Sequence, residues 1–113
     1  MQFDFEHLPA LSRYNLLSSL VVPRPIAWVT TRSDNGAVNL APYSFFNVMG
    51  HEPPLVALGI LASPSKGLKD TLRNIEAQRE FAVSLVTEPL LPAMNLSAGD
   101  LPYGVSEAEL AEV

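Results

Sequence analysis

The apolar residues of this chain change their spacing from one segment to the next, and each change marks an element. In residues 11–22, Leu16, Leu17, Leu20 and Val21 recur at i, i+1, i+4 and i+5, which predicts a short helix with one apolar face, ended by Pro23. From Ile26 the pattern alternates, with Ile26, Trp28 and Thr30 on one face and Ala27, Val29 and Thr31 on the other. Its β-branched and aromatic content predicts a strand buried on both faces. Ser33-Asp-Asn-Gly36 supplies turn residues, and Asn35-Gly36, both tolerant of positive φ, predicts a hairpin returning residues 37–44 antiparallel to the first strand. Pro42 has no N–H to donate and is expected to interrupt the pairing of that return.

Residues 55–61 lie between Pro53-Pro54 and Ser63-Pro64 and leave neither face polar, which predicts a central strand. Beyond Gly67 the period becomes helical: Leu68, Leu72 and Ile75 fall at i, i+4 and i+7 while Arg73, Glu76 and Arg79 face away, with Asp70 as the expected N-cap. Phe81, Val83 and Leu85 then alternate with Ala82, Ser84 and Val86 in a fourth strand. Leu90, Leu91 and Met94 predict a short helix after Pro89, and Ser106-Glu-Ala-Glu109 reads as a capping box opening another. That last helix has barely two turns before Val113, so the chain is expected to be truncated on its C-terminal side. The pattern as a whole predicts a mainly β fold with short helices, an antiparallel barrel or sheet, in a single domain spanning residues 1–113.

Composition narrows what such a domain could do. With 113 residues, 48% of them hydrophobic, the chain has apolar material for one core, and its ten prolines are spread rather than clustered. A net charge of −5 opposes a nucleic-acid surface, which needs clustered Lys and Arg. The absence of cysteine excludes disulfides and thiolate chemistry and fits a reducing compartment. The N-terminus lacks a basic segment followed by an apolar run, and no stretch approaches the roughly 18 apolar residues of a membrane span, so the expectation is a cytoplasmic protein that binds neither membrane nor nucleic acid.

The search for catalytic groups returns little. No serine sits in a Gly-x-Ser-x-Gly elbow, and His7 and His51 share no metal-ligand spacing, so no metal is expected. There is neither a Gly-x-Gly-x-x-Gly nor a P-loop. Two segments remain. In Ser63-Pro-Ser-Lys-Gly-Leu-Lys-Asp-Thr71, Lys66, Lys69 and the hydroxyls of Ser65 and Thr71 lead into a helix N-terminus, a phosphate cradle or simply a capped and solvated turn. In Asn39-Leu-Ala-Pro-Tyr-Ser-Phe-Phe-Asn47, Ser44 and Asn47 offer hydrogen bonds beside Tyr43, Phe45 and Phe46, which suits a flat heteroaromatic ligand or, equally, two core aromatics and a turn. Trp28, in mid-strand, reads as core.

These segments, in this order, resemble the flavin reductase-like family, whose domain is an FMN-binding split β-barrel. The blocks that carry the resemblance are VVPRPIAWVTT (21–31), NLAPYSFFN (39–47), PPLVALGI (53–60), KDTLRNI (69–75) and EFAVSLV (80–86). The resemblance implies that Arg24, Pro25 and Ile26, with Asn39, Ala41, Pro42, Ser44, Phe45, Phe46 and Asn47, line the isoalloxazine and ribityl chain. It implies that Lys69, Asp70 and Thr71 address the phosphate, with Asp70 organising the turn rather than touching a dianion it would repel. It further implies FMN as cofactor, NADH or NADPH as electron donor, flavin, iron or oxygen as acceptor, and a homodimer; no catalytic side chain is assigned, because the flavin carries the chemistry. Members of the family run longer, with further barrel strands that have no counterpart here. A non-catalytic flavin-binding or dimerisation module is therefore the alternative, and the pyridoxamine-phosphate-oxidase relatives of the split barrel fit these blocks less well.

Overall fold

The computed structural model describes residues 1–62 and 67–113. Among these the elements run α1 (Ala10–Leu20), β1 (Ala27–Arg32), β2 (Val38–Tyr43), β3 (Phe46–His51), β4 (Pro54–Leu58), α2 (Asp70–Gln78), β5 (Ala82–Leu85), α3 (Leu91–Ser97) and α4 (Glu107–Leu110), with a 3-10 turn at Glu88–Leu90 leading into α3. The strands form two antiparallel sheets, β2-β1-β5 and β3-β4.

β1 is the buried centre of the larger sheet, as its unbroken apolar and β-branched run predicts. It pairs with β2 from Ala27↔Tyr43 to Arg32↔Val38. The predicted Asn35-Gly36 turn is present, but only Gly36 takes positive φ, at +86°. Asn35 works through its side chain instead: Oδ1 accepts the Ala37 N–H at 3.0 Å and the Ser33 hydroxyl at 2.5 Å. Gly36 N–H donates to the Ser33 carbonyl and Ser33 N–H to the Ala37 carbonyl, so three residues make the connection rather than two.

Pro42 does not interrupt the pairing. β2 continues through it to Tyr43, with Pro42 opposite Trp28. Leu40, two residues earlier, sends its N–H outward to Glu107, and the period of two gives Pro42 the same outward orientation, so no ladder bond is lost on this edge strand.

The same period sorts the faces of the sheet. Trp28 and Leu40 share one face and meet Met94 of α3 in the apolar core, with Ile26, Val86, Ala93 and Ala108 packed around them. Trp28 Nε1 donates to Ser97 Oγ at 2.8 Å, and Ser97 Oγ to the Met94 carbonyl at 2.8 Å, so the indole is satisfied inside the core. Thr31, Asn39 and Tyr43 share the opposite face, against α2.

α2 docks by hydrogen bonds, which reverses the expectation that Leu68, Leu72 and Ile75 form its core face. Its buried residues are Thr71 and Asn74, each 1% exposed, while Leu68 is exposed and Leu72 and Ile75 are half-buried. Asn74 Nδ2 donates to Thr31 Oγ1 at 3.0 Å, Tyr103 Oη donates to Asn74 Oδ1 at 3.2 Å, and Gln78 Nε2 reaches Asp34 Oδ1 at 3.3 Å. The hairpin offers α2 a hydroxyl and carboxylate surface, so the polar stripe turns inward. The N-cap is Lys69 rather than Asp70, which stands in the first turn with no side-chain cap bond. Half of the predicted capping box is present at α4: Ser106 Oγ accepts the Glu109 N–H at 3.3 Å, while the Glu109 side chain makes no return bond to the Ser106 N–H among the described residues.

Three further expectations change. α1 forms, but none of its residues is buried, so its leucines do not pack as a core face. β4 is not a central strand: among the described residues it pairs only with β3, and no layer of them covers the exposed Leu55 and Val56. Phe46 and Asn47, the end of the 39–47 segment read from sequence as lining a ligand, open strand β3 and sit opposite Leu58 and Ala57.

Candidate functional site

Three adjoining clefts run along the end of β2 and collect most of the residues singled out in the sequence. The first, about 130 Å³, lies between the outer edge of β2, the start of α2 and the α3–α4 connection; Asn39, Ala41, Pro42, Lys69, Asp70 and Thr71 all line it. The second, about 380 Å³, shares Pro42, Tyr43 and Lys69 with the first and adds Ser44, Phe45, Tyr14 and Leu61. The third, about 370 Å³, shares Ser44 and Phe45 with the second and adds Arg24, Pro25, Phe46 and Asn47. Segments about twenty to forty-five residues apart in sequence thus line neighbouring clefts that share residues. Ile26 lines none of these clefts and packs against the Trp28 cluster. Ser65 and Lys66 lie outside the described residues.

At the apolar end, Arg24 holds the geometry. Its Nη1 donates to the carbonyls of Ser18 (2.5 Å) and Val21 (2.7 Å) at the end of α1, and its Nε reaches Ser44 Oγ at 3.3 Å. Carbonyls left over at a helix C-terminus suit a guanidinium. The guanidinium carbon lies 5.6 Å from the Phe45 ring centroid, and the Tyr14 ring lies 6.0 Å from Phe45 on a tilt. Gly59 N–H donates to the Phe45 carbonyl at 2.7 Å, pinning this connection to the end of β4.

At the polar end, Thr71 Oγ1 accepts Asn39 Nδ2 at 2.9 Å and meets Tyr43 Oη at 2.8 Å. Asn39 and Tyr43 are four apart on one strand and so project from the same face, with Thr71 bridging them. The first turn of α2 leaves its leading N–H groups without intrahelical partners beside this hydroxyl. Burial pushes the Tyr43 phenol above its ordinary value against the opposing effect of the Thr71 hydrogen bond, with the charges of Asp70 and Glu107 adding to the rise. Glu107, buried at the foot of the cleft, is likewise raised by burial, partly offset by the backbone N–H groups of Glu107 and Leu40.

Tyr43, Ser97 and Glu107 line this cleft without having been singled out as site residues. Tyr43 lay within the quoted segment, and its position four residues from Asn39 is the signal that could have found it. Nothing local marks Glu107, whose role depends on α4 folding back over β2.

An apolar, aromatic-walled trough with a guanidinium and a hydroxyl at one end, and a lysine, a threonine and open helix N–H groups at the other, has the donor set for a flavin mononucleotide. The profile of the flavin reductase like domain matches residues 18–113. The chain belongs to the flavin reductase-like domain family. It is similar to nitrilotriacetate monooxygenase component B from Bacillus cereus, at 35% identity and a TM-score of 0.90, over 99% of this chain and 55% of that one. A split-barrel structure from Shewanella frigidimarina, 23% identical with a TM-score of 0.74 over 97% of this chain and 55% of the other, agrees on the fold. An uncharacterized protein of Deinococcus radiodurans is 50% identical over 95% of this chain and 49% of its own length. This family member therefore spans about half the length of the relatives it matches, and its fold is that of the split-barrel flavin reductases. Among the described residues no helix is long and apolar enough to cross a membrane, and no cluster of three or more His, Asp or Glu side chains could hold a metal ion.

Proposed function

We propose that this chain is an FMN-binding oxidoreductase domain that takes electrons from NADH or NADPH and delivers them to flavin, oxygen or another acceptor. The observation that supports this reading most is that three neighbouring clefts share lining residues in series, from Arg24 and Phe45 through Pro42 and Tyr43 to Lys69 and Thr71. A flavin mononucleotide has the matching order of parts, a planar ring, a polyhydroxyl chain and a phosphate.

Bound FMN would supply the hydride and electron chemistry. The chain's own residues bind and orient. Phe45 and Tyr14 wall the ring and exclude water from one side, while Arg24 keeps Ser44 turned toward the groove. Asn39, Ala41 and Pro42 border the ribityl path. Lys69 contributes positive charge at the phosphate, Thr71 its hydroxyl and N–H, and Asp70 shapes the helix start. The flavin-binding unit comprises residues 1–113 as one domain. The reading includes a cytoplasmic homodimer, supported by the exposed Leu17, Leu20, Val48, Met49 and Val56.

An absorption spectrum after titration with FMN tests the reading. Bound oxidised flavin shifts its visible bands, and no shift at saturating FMN removes the flavin function. Anaerobic addition of NADH and NADPH then separates the two roles: bleaching supports the reductase, and bound flavin that neither nicotinamide reduces supports a non-catalytic binding module.

A further inference from the structure

We infer that residues 98–105, the connection between α3 and α4, form a strap latched by Tyr103, and that opening of this strap admits ligands to the polar cleft at the edge of β2. The inference rests on the flavin reading for the identity of the ligand; the gating itself is a property of the ligand-free chain.

The strap has fixed ends and a lightly held middle. At one end Ser97 is buried, accepting Trp28 Nε1 at 2.8 Å and donating to the Met94 carbonyl at 2.8 Å. At the other, Ser106 caps α4 and Glu107 Oε2 accepts the Leu40 N–H at 3.1 Å. Between them the chain rounds the outer edge of β2, from α3 on the Trp28 face to α2 on the opposite face, and all of it but Leu101 and Gly104 is exposed. Tyr103 Oη donates to Asn74 Oδ1 at 3.2 Å, with the Arg73 guanidinium carbon 4.4 Å from the Tyr103 ring centroid. Asn35 Nδ2 donates to the Gly104 carbonyl at 3.3 Å. A glycine is needed there, since φ is +82° and a Cβ would stand 2.8 Å from Asn35 Nδ2. These are long hydrogen bonds and an exposed cation–π contact, each of which contributes little net free energy. A segment with so few buried apolar contacts opens without the rest of the domain unfolding.

The strap also lies where opening has a consequence. Asp100 and Leu101 line the cleft of about 130 Å³ on one side and, on the other, a further cleft of about 260 Å³ that Arg73 and Tyr103 border. Lys69 and Asp70 line both as well, so these two pairs of residues form the partition between them. With the strap down, the polar cleft is the smallest of the three along β2, and its walls Asn39, Thr71, Ser97 and Glu107 are buried. Released at Tyr103, the strap joins the two spaces and uncovers the start of α2. The polar end of a ligand seated against Phe45 then enters, and the latch sets how often that happens.

Hydrogen exchange read by mass spectrometry on the full chain, together with stopped-flow binding of FMN, tests the gate in the parent, Tyr103→Phe and Arg73→Gln. In the parent, amides of residues 98–105 and 69–71 should exchange together, ahead of β1 and with a weaker dependence on low urea concentrations, because local opening exposes little surface. Tyr103→Phe deletes the hydrogen bond and keeps the ring; Arg73→Gln deletes the cation and keeps the hydrogen bond. Each should speed exchange of both segments about threefold to tenfold and raise the FMN association rate by a similar factor. For Arg73→Gln that sign is diagnostic, since loss of a positive charge alone slows the approach of an anion. Strap exchange that matches β1 in its urea dependence, that ignores both variants, or that leaves residues 69–71 behind would overturn the inference. If FMN binds at one rate to all three chains, the gate falls and the flavin reading stands; if FMN does not bind while both segments respond to the variants, the gate stands and the flavin reading falls.

Discussion

Glu107 Oε2 accepts the backbone N–H of Leu40 at 3.1 Å, so a carboxylate from the last helix closes the outer edge of β2. An edge strand exposes a row of unpaired donors and acceptors, and here one of them is taken by a buried side chain that also forms the foot of the candidate phosphate cleft.

Replacing Glu107 by Ala leaves the Leu40 N–H buried without a partner, at a cost of about 1–3 kcal/mol measured by urea unfolding. Glu107→Gln retains an acceptor oxygen and shows a smaller loss. Burial raises the Glu107 carboxyl above its unfolded value, so the folded state binds that proton more tightly. Its contribution to stability is therefore fully present below the unfolded carboxyl pKa and is lost as pH rises through the folded one. The stability of Glu107→Gln relative to the parent should rise over that interval, and a flat difference between acid and neutral pH would contradict the sign.

Asn74 is the hinge pin of the α2 docking, bonded to Thr31 on one side and Tyr103 on the other. Asn74→Ala removes both bonds from a side chain that is 1% exposed, and the expected loss is about 2 kcal/mol in chemical denaturation. Asn74→Leu should not recover it, because the Thr31 hydroxyl would face an apolar group. Recovery in that variant would show that α2 docks by volume rather than by polarity.

A methyl group at Gly59 would stand 2.8 Å from Phe45 Cβ, nearer than real Cβ atoms approach, and neither atom is the end of a flexible chain. Gly59→Ala must therefore displace the Ser44–Phe45 connection. Overpacking of this kind costs about 1–3 kcal/mol. The same variant should weaken FMN and riboflavin together, because the disturbed wall belongs to the ring end of the groove; flavin fluorescence titration reads both.

Lys69 lies at the opposite end, exposed at the N-cap of α2. Lys69→Ala should weaken FMN by less than about tenfold and leave riboflavin unaffected, since an exposed charge acts through solvent. Raising the salt concentration should reduce the difference between parent and variant for FMN. Persistence of the difference at high salt would mean that Lys69 makes a desolvated contact.

Local chemistry was enough to determine a large part of this protein. The continuous apolar run of β1 announced a buried central strand, Asn35-Gly36 announced its hairpin, and Ser106 with Glu109 announced the start of α4; each depends on backbone preferences within a few residues. Residue type alone left the two candidate ligand segments, residues 39–47 and 69–71, evenly balanced between a ligand site and ordinary turns and core, and the family resemblance is what singled them out; that both line the cleft beside β2 follows from α2 packing on that strand.

What tertiary structure alone decided is which surface each element turns inward. The leucine spacing of α2 implied an apolar core face, but the hairpin presents Thr31, Asn39 and Asp34, and α2 answers with Thr71, Asn74 and Gln78. β4 has the composition of a central strand and stands at an edge, because composition records what a strand can bury and not which layers surround it. Glu107 and Tyr43 acquire their roles only when α4 and α2 close on β2 from opposite sides, since a hydrogen bond between residues 67 or 28 positions apart leaves no periodic trace in the chain.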